Sequence, residues 1–347
     1  MSDPRPVTVR PFAPADAAAW DAFVADCPDA TFFHRIGWKT AIEESFGHRT
    51  HYLCAERDGA LCGVLPLVQI KSRLFGNSLI STAFTVYGGP AAVDDAARRA
   101  LDAAARDLAQ RLDVDHLEYR SRVPRHPDLV SRDDLYVTFR KPLDADPDKN
   151  MAAIPRKQRA MVRKGIKAGL TSELDAGVDR LHHIYAASVR NLGTPVFAKR
   201  YFHALTRVFG ADCDIVTILH DDQAVASVMN FYFRDEVIPY YGGGLPEARA
   251  VAANDFMYWE VMRRACERGF RLFDFGRSKR DTGAYSFKKH WGFEPAPLAY
   301  EFLLRRGGEI PDVNPLNPKY RLAIAAWKRL PLPVAKAIGP LIVRNLG

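Results

Sequence analysis

The sequence predicts a two-domain α/β (α+β) protein with a basic C-terminal tail, and three observations predict it. The same order of hairpin, strand, helix and strand signals occurs twice, the two sets keep a nearly constant offset, and the texture changes to prolines and short apolar stretches after Pro311. At 347 residues, with 48% hydrophobic and 26% charged residues, the chain can bury two cores of ordinary size. That excludes a disordered chain and a small disulfide scaffold.

From His51 to Ile70, β-branched and aliphatic residues flank Asp58-Gly59, a pair suited to the left-handed dihedrals of a two-residue hairpin turn. The signal returns from Asp214 to Phe233 around Asp221-Asp222-Gln223. Each hairpin is followed by an aromatic strand ending in glycines, Tyr87-Gly88-Gly89 and then Tyr241-Gly242-Gly243-Gly244. A helix comes next. In the first, Ala97, Leu101, Ala104, Ala105, Leu108 and Leu112 share one face. In the second, Met257, Val261, Met262 and Ala265 do so, with Asn254 or Asp255 as N-cap and Gly269 past the end. A last strand carries an acid and then an arginine: Leu117-Glu118-Tyr119-Arg120-Ser121 in one copy, Phe273-Asp274-Phe275-Gly276-Arg277-Ser278 in the other.

The glycine pairs stand 154 residues apart and the acids 156 apart, while turn and glycines are separated by 30 residues in the first copy and 20 in the second. The expected organisation is a duplicated unit with one insertion: a domain over 5–149, a second over 150–310 that begins with a basic junction helix at 155–168, and a tail over 311–347. Pro155 suits the start of that helix, Gly169 its end, and Val162, Ile166 and Leu170 its apolar stripe.

The formal net charge of +8 is local rather than global. Arg156, Lys157, Arg159, Arg163, Lys164 and Lys167 lie in an acid-free stretch from Asn150 to Ser172, and six more Lys and Arg lie in another from Val313 to Gly347. The remainder has 37 basic against 41 acidic residues, so the charge does not by itself indicate a DNA-binding protein. Five dispersed cysteines without a C-x-x-C pair indicate a reducing compartment, with neither a disulfide framework nor a zinc cluster. No metal site is expected, and the His182-His183 pair reads as a helix surface. The N-terminus has no signal-peptide core, and no run approaches the roughly 18 apolar residues of a spanning helix, so a cytoplasmic location is expected.

The order of elements resembles the Fem family of peptidyltransferases, built from two tandem acetyltransferase-like (GNAT) domains. Phe32-Phe33-His34 to Trp38-Lys39 with Phe46-Gly47 looks like its opening element, and Pro155 to Gly165 like its basic linker helix. The most specific part runs from Tyr240-Tyr241-Gly242-Gly243-Gly244 through Phe273-Asp274-Phe275-Gly276 to Phe287-Lys288-Lys289-His290-Trp291-Gly292-Phe293. The resemblance covers about residues 30–305 and looks closest to the branch found with exosortase (PEP-CTERM) and exopolysaccharide systems. It implies transfer of an activated acyl group to an amine of an envelope or polysaccharide precursor, with aminoacyl-tRNA or acyl-CoA as donor and no permanently bound cofactor. Two departures leave the donor open: no Q/R-x-x-G-x-G/A loop follows the second domain's central strand, and there is no room for the long helical arm of some tRNA-using members.

Acyl transfer needs a group to take the amine's proton, a donor for the oxyanion and an acid for the leaving atom. Asp274, which alternates with two aromatics, and Lys288, in the segment where the family keeps a functional lysine, are the expected catalytic residues, with Tyr241 as a candidate acid. Asp274 equally fits a structural pairing with Arg277. Glu118 is its counterpart in the first copy. Arg277, Tyr285 and Lys289 are expected to contact substrate, Gly242 and Gly243 either to admit it to the backbone or to form a turn, and Lys39 and Arg200, by resemblance, to hold acceptor phosphates. Arg156, Lys157, Arg159, Arg163 and Lys164 read as a phosphate-binding face or as a solvated one. The tail, with Tyr320, Leu322, Trp327, Val334, Ile338 and Leu341 among basic residues, reads either as a peripheral contact at the inner face of the membrane or as an arm packed on the second domain. The resulting expectation is an N-acyltransferase of envelope or exopolysaccharide synthesis. Its rivals are an acetyl-CoA-dependent amino-sugar acetyltransferase and a non-catalytic scaffold of an envelope-polysaccharide assembly system.

Overall fold

Both hairpins form where the turn chemistry requires them in a computed structural model, which describes residues 6–72, 75–305, 307, 310 and 321–347. Asp58 and Gly59 take φ of 52° and 76°, and Asp221 and Asp222 take 48° and 60°, the paired left-handed dihedrals that suit the twist of the flanking strands. The chain divides into two compact units. One takes in Met1–Asp134, Pro297–Pro311 and Arg344–Gly347, the other Leu135–Ala296 and Asp312–Val343. The start of the predicted tail, 311–320, lies outside the described residues.

The first unit holds β1 (Thr8–Pro11), β2 (Arg49–Thr50), β3 (Leu53–Arg57), β4 (Ala60–Leu65), β5 (Leu67–Ser72), β6 (Gly76–Ser81), β7 (Ala91–Ala92), β8 (His116–Ser121) and β9 (Val130–Arg132), with helices α1 (Ala17–Asp26), α2 (Gly37–Phe46) and α3 (Asp95–Arg111). The second holds β10 (Tyr136–Pro142), β11 (Thr171–Leu174), β12 (Cys213–His220), β13 (Gln223–Phe233), β14 (Glu236–Gly244) and β15 (Leu272–Lys279), while β16 (Pro295–Pro297) ends at the division. Its helices are α4 (Pro147–Ala153), α5 (Arg156–Lys167), α6 (Asp179–Leu192), α7 (Lys199–Phe209), α8 (Ala253–Glu267), α9 (Gly283–His290), α10 (Arg321–Lys328) and α11 (Leu332–Val343). The last strand, β17 (Ala299–Leu304), belongs to the first unit.

In the first unit the sheet orders are β1-β3-β4-β7 and β2-β5-β6-β8-β17-β9. Asp94 caps α3 by accepting from Ala97 N, and Ala97, Leu101, Ala105 and Ala109 are buried against Leu53, Leu65, Leu79 and Leu117. In the second unit one mixed sheet runs β11-β12-β13-β14-β15-β10-β16. Strand alternation gives it two packed faces. Val228 and Tyr232 join Phe256, Met257 and Val261 of α8 in one core, while Phe231 meets Phe209 of α7 edge-on, with ring centroids 5.6 Å apart.

Several expectations need correction. Divisions at 149/150 and 310/311 would put β10 in the first domain and β17 in the second, whereas β10 pairs with β15 and β17 with β8. Tyr87-Gly88-Gly89 is not in a strand, because β6 stops at Ser81 and Thr82 and Phe84 take left-handed φ of 48° and 68°. The N-cap of α8 is Ala252, at φ 56°, with Asn254 and Asp255 already inside the first turn. Helix α5 buries Gln158, Val162 and Gly165 rather than Ile166, which is 50% exposed; a Cβ at Gly165 would come within 2.8 Å of Phe256 Cβ on α8, so the close approach needs a glycine.

Candidate functional site

Strands β14 and β15 pair in parallel only at Glu236–Leu272 and Val237–Phe273. Beyond Val237, among the described residues, the edge of β14 toward β15 has no ladder partner, which leaves a notch at the carboxyl ends of the two strands. On its other side β15 continues against β10, but with a bulge: Phe275 and Gly276 together oppose Phe139, between the pairs Thr138–Arg277 and Arg140–Asp274. Gly276 takes φ 65°, a left-handed value that glycine adopts without strain.

The bulge turns three consecutive carbonyls toward one point, and Lys288 occupies it. Its Nζ donates to Phe275 O at 2.7 Å and to Gly276 O and Arg277 O at 3.1 Å each. Helix α9 fixes the lysine's position; Thr282 Oγ1 caps it by accepting from Tyr285 N, and the lysine lies over the rings of Phe139 and Phe275 at 5.7 and 5.8 Å. Burial pushes the Lys288 ammonium down to about 7, with Asp274 opposing the shift and Arg277 adding to it. Only the protonated form has three N–H bonds for the three carbonyls, so the cage favours the charged state.

Asp274 has no exposed surface. Its Oδ1 accepts from Gly276 N at 2.7 Å and from Thr138 Oγ1 at 3.4 Å, and its Oδ2 lies 3.2 Å from Arg140 Nε. Arg140 also pairs with Glu236. The carboxylate expected to act on an amine is thus enclosed and partnered, with Arg140 in an ion pair with it; Arg277 stacks over Tyr136 at 4.5 Å. Thr138 and Arg140 carry no local sign of this role in the sequence, because it comes from pairing with residues more than 130 positions later.

The remaining predicted residues divide clearly. Tyr285 meets Phe139, the residue opposite the bulge, edge-on at 5.5 Å, and Lys289, exposed, lies over Tyr285 at 5.7 Å, so Lys288, Tyr285 and Arg277 adjoin the bulge while Lys289 lies one ring further out. Tyr241 is buried among Tyr185, Phe197, Tyr201 and Phe202, and its hydroxyl lies 3.0 Å from that of Tyr201. Burial raises its pKa well above the ordinary range, which does not suit a general acid. Gly242 and Gly243 are strand residues, not a turn. Their Cβ positions are occupied by the protein itself: a Cβ on Gly242 would approach Ser227 O and Val228 at 2.9 Å, and one on Gly243 would meet Ser188. Arg200 is exposed on α7. Of the basic face of α5, Arg156, Lys157, Arg163 and Lys164 are exposed and make no ion pair among the described residues, whereas Arg159 donates to Ala152 O.

Lys39 and Glu118 lie in the first unit, the former paired with Glu43 at 2.7 Å and the latter buried and bonded to Arg120 Nε at 2.7 Å. Here too a parallel pair is short, β6 and β8 meeting only from Ser78 to Ile80. A cavity of about 210 Å³ includes Thr31, His34, Gly88, Gly89, Ser121 and Arg122 in its lining. Burial lowers His34 to about 4; its Nδ1 accepts from Thr31 N, so the neutral ring's Nε2–H donates to Gly89 O at 2.7 Å.

Comparison with known proteins agrees with this architecture. The acetyltransferase (GNAT) domain family matches residues 153–289. No curated protein matches the sequence. Among solved structures, FemX covers 91% of this chain and 100% of its own at 16% identity, with a TM-score of 0.65. A C-terminal domain (DUF2156) assigned to lysylphosphatidylglycerol synthetase, from Agrobacterium fabrum, covers 85% and 92% at 14% identity, with a TM-score of 0.56. A tandem GNAT protein from the clavulanic acid biosynthesis pathway covers 87% and 100% at 15% identity, with a TM-score of 0.54. The chain therefore has a mixed α/β, GNAT-like fold with tandem-domain structural neighbours, and its residues 153–289 match the acetyltransferase (GNAT) domain family.

Proposed function

We propose that the protein is an N-acyltransferase that moves an acyl or aminoacyl group from an activated carrier to an amine, with its chemistry at the notch between β14 and β15. The observation that carries this reading is the Lys288 ammonium, held on the three carbonyls of the β15 bulge with its pKa brought down to about 7. Attack of an amine on an acyl carbonyl builds negative charge on the carbonyl oxygen, and a preorganised cation stabilises it. The two 3.1 Å bonds of Lys288 are the ones an oxyanion can replace. A pKa near neutrality also allows Lys288 to give a proton to the leaving sulfur or oxygen and to take in its place the proton lost by the attacking amine, so that the ammonium is restored.

Asp274 acts here as a positioning residue: it holds Gly276 N, and so the carbonyl cage, and its charge favours protonated Lys288. Arg277, Tyr285 and Lys289 contact the substrate around the bulge. The unpaired edge of β14 takes an extended donor arm in place of a strand, through main-chain hydrogen bonds. The exposed cations of α5 hold donor phosphates, and Arg200 serves the acceptor. The family match over 153–289 favours an acyl-CoA donor, with aminoacyl-tRNA as the alternative, and the motifs that resemble the Fem family favour an envelope or exopolysaccharide amine as acceptor, met on the cytoplasmic side.

Offering the protein labelled acyl-CoA and labelled aminoacyl-tRNA with envelope amine acceptors tests this reading; label should pass from one donor to an amine. Transfer to a free amino sugar alone identifies the amino-sugar acetyltransferase. Full rescue of deletion cells by both Asp274→Asn and Lys288→Met leaves a non-catalytic scaffold.

A further inference from the structure

Helix α11 has two apolar faces. Ala335, Gly339 and Val343, spaced four residues apart, are buried, and Gly339 lies so close to the second unit's main chain that a Cβ would come 2.7 Å from Val196 N. Val334, Ile338 and Leu341 recur at helical spacing on the other side, and are 41%, 38% and 65% exposed. Helix α10 is pinned in a similar way, since Trp327 Nε1 donates to Thr194 O at 3.0 Å and Arg190 donates to Leu330 O at 2.7 Å, yet Leu322 is 83% exposed. The two expectations for the tail are therefore compatible: one face packs and another is left over.

Charge identifies what the outer face fits. From 321 to 343 there are four basic residues and no acid, and Arg321, Lys328 and Arg329 are exposed with no ion pair among the described residues. In the same unit Arg140, Arg180, Arg263 and Arg268 have carboxylate partners, while Arg156, Lys157, Arg163 and Lys164 of α5 are, like Arg321, Lys328 and Arg329, without an ion pair among the described residues but lack the row of exposed aliphatic residues of α11. Aliphatic side chains beside unpaired cations match a surface that offers anionic headgroups over an acyl boundary. A second copy of the chain would set the same cations against each other. No described helix is long and apolar enough to cross a membrane, so the contact is peripheral. We propose that α10 and α11 dock the protein on an anionic lipid surface, the apolar residues entering the interface and the basic ones facing headgroups. This inference stands independently of the acyl-transfer reading.

Vesicle flotation of the full chain tests it, using phosphatidylcholine with and without phosphatidylglycerol. The intact protein should float with anionic vesicles, and rising salt should release it. The variant Val334→Ser/Ile338→Ser/Leu341→Ser should partition about tenfold less or weaker still. The variant Arg321→Gln/Lys328→Gln/Arg329→Gln, confined to exposed residues, should lose about fivefold per charge. Unchanged unfolding midpoints establish that both variants are folded. Failure to float, equal flotation with neutral vesicles, or undiminished flotation of either variant overturns the proposal. So does a dimer, seen by light scattering, that the serine variant dissolves.

Discussion

Replacing Asp274 by Asn is a demanding perturbation of the site, because this carboxylate joins β10, the bulge and Lys288. An amide can still accept from Gly276 N, but its NH2 group then faces the Arg140 guanidinium in place of a carboxylate oxygen now 3.2 Å away. Removing one partner of a buried ion pair costs about 3–5 kcal/mol. Arg140 keeps a quarter of its side-chain surface and its bond to Glu236, so the expected loss is nearer about 2 kcal/mol. Denaturant unfolding measures it, together with the pH dependence of the transfer rate. Asp274 raises the pKa of Lys288, so its neutralisation should also move the titration of Lys288 to lower pH. A stability change below about 0.5 kcal/mol would refute the structural role, because surface substitutions already give that much. An unmoved pH profile would refute the electrostatic one.

Other substitutions probe neighbouring parts. Gly276→Ala places a Cβ in open space, so its cost is the left-handed φ of 65° alone, about 1–2 kcal/mol, and the shifted carbonyls should lower the transfer rate as well. Tyr241→Phe removes the 3.0 Å contact with Tyr201 and should cost about 1 kcal/mol of stability while transfer continues; a lost rate with intact stability would restore Tyr241 as an acid. Gly339→Val drives a side chain into the main chain at Val196, so limited proteolysis should cut the tail faster than in the parent protein.

Local chemistry made much of the fold legible. Asp58-Gly59 and Asp221-Asp222 announce their turns, and the apolar period of 97–112 gives the buried face of α3. What depended on distant pairing was not legible. Tyr136–Pro142 reads as a strand, but nothing local says that it pairs with β15 or that β17 pairs with β8. For that reason Asp274 was readable as an acid beside aromatics, while Arg140, which neutralises it, was not. Lys288 stands out in the sequence only by resemblance; its cage arises from a bulge that needs β10 as partner. In the tail, periodicity shows apolar positions in α11 but does not say that neighbouring ones face opposite ways.

The pH dependence of acyl transfer, measured on the intact protein and on Lys288→Arg, tests the central claim most directly. If protonated Lys288 supports the reaction, the rate of the intact protein, expressed per concentration of unprotonated amine acceptor, should be constant at low pH and fall tenfold per unit above about 7, where the ammonium loses its proton. Arginine stays charged throughout this range, so whatever activity the variant retains should lack that fall. The same descending limb in Lys288→Arg, or full activity in Lys288→Met, would contradict the account.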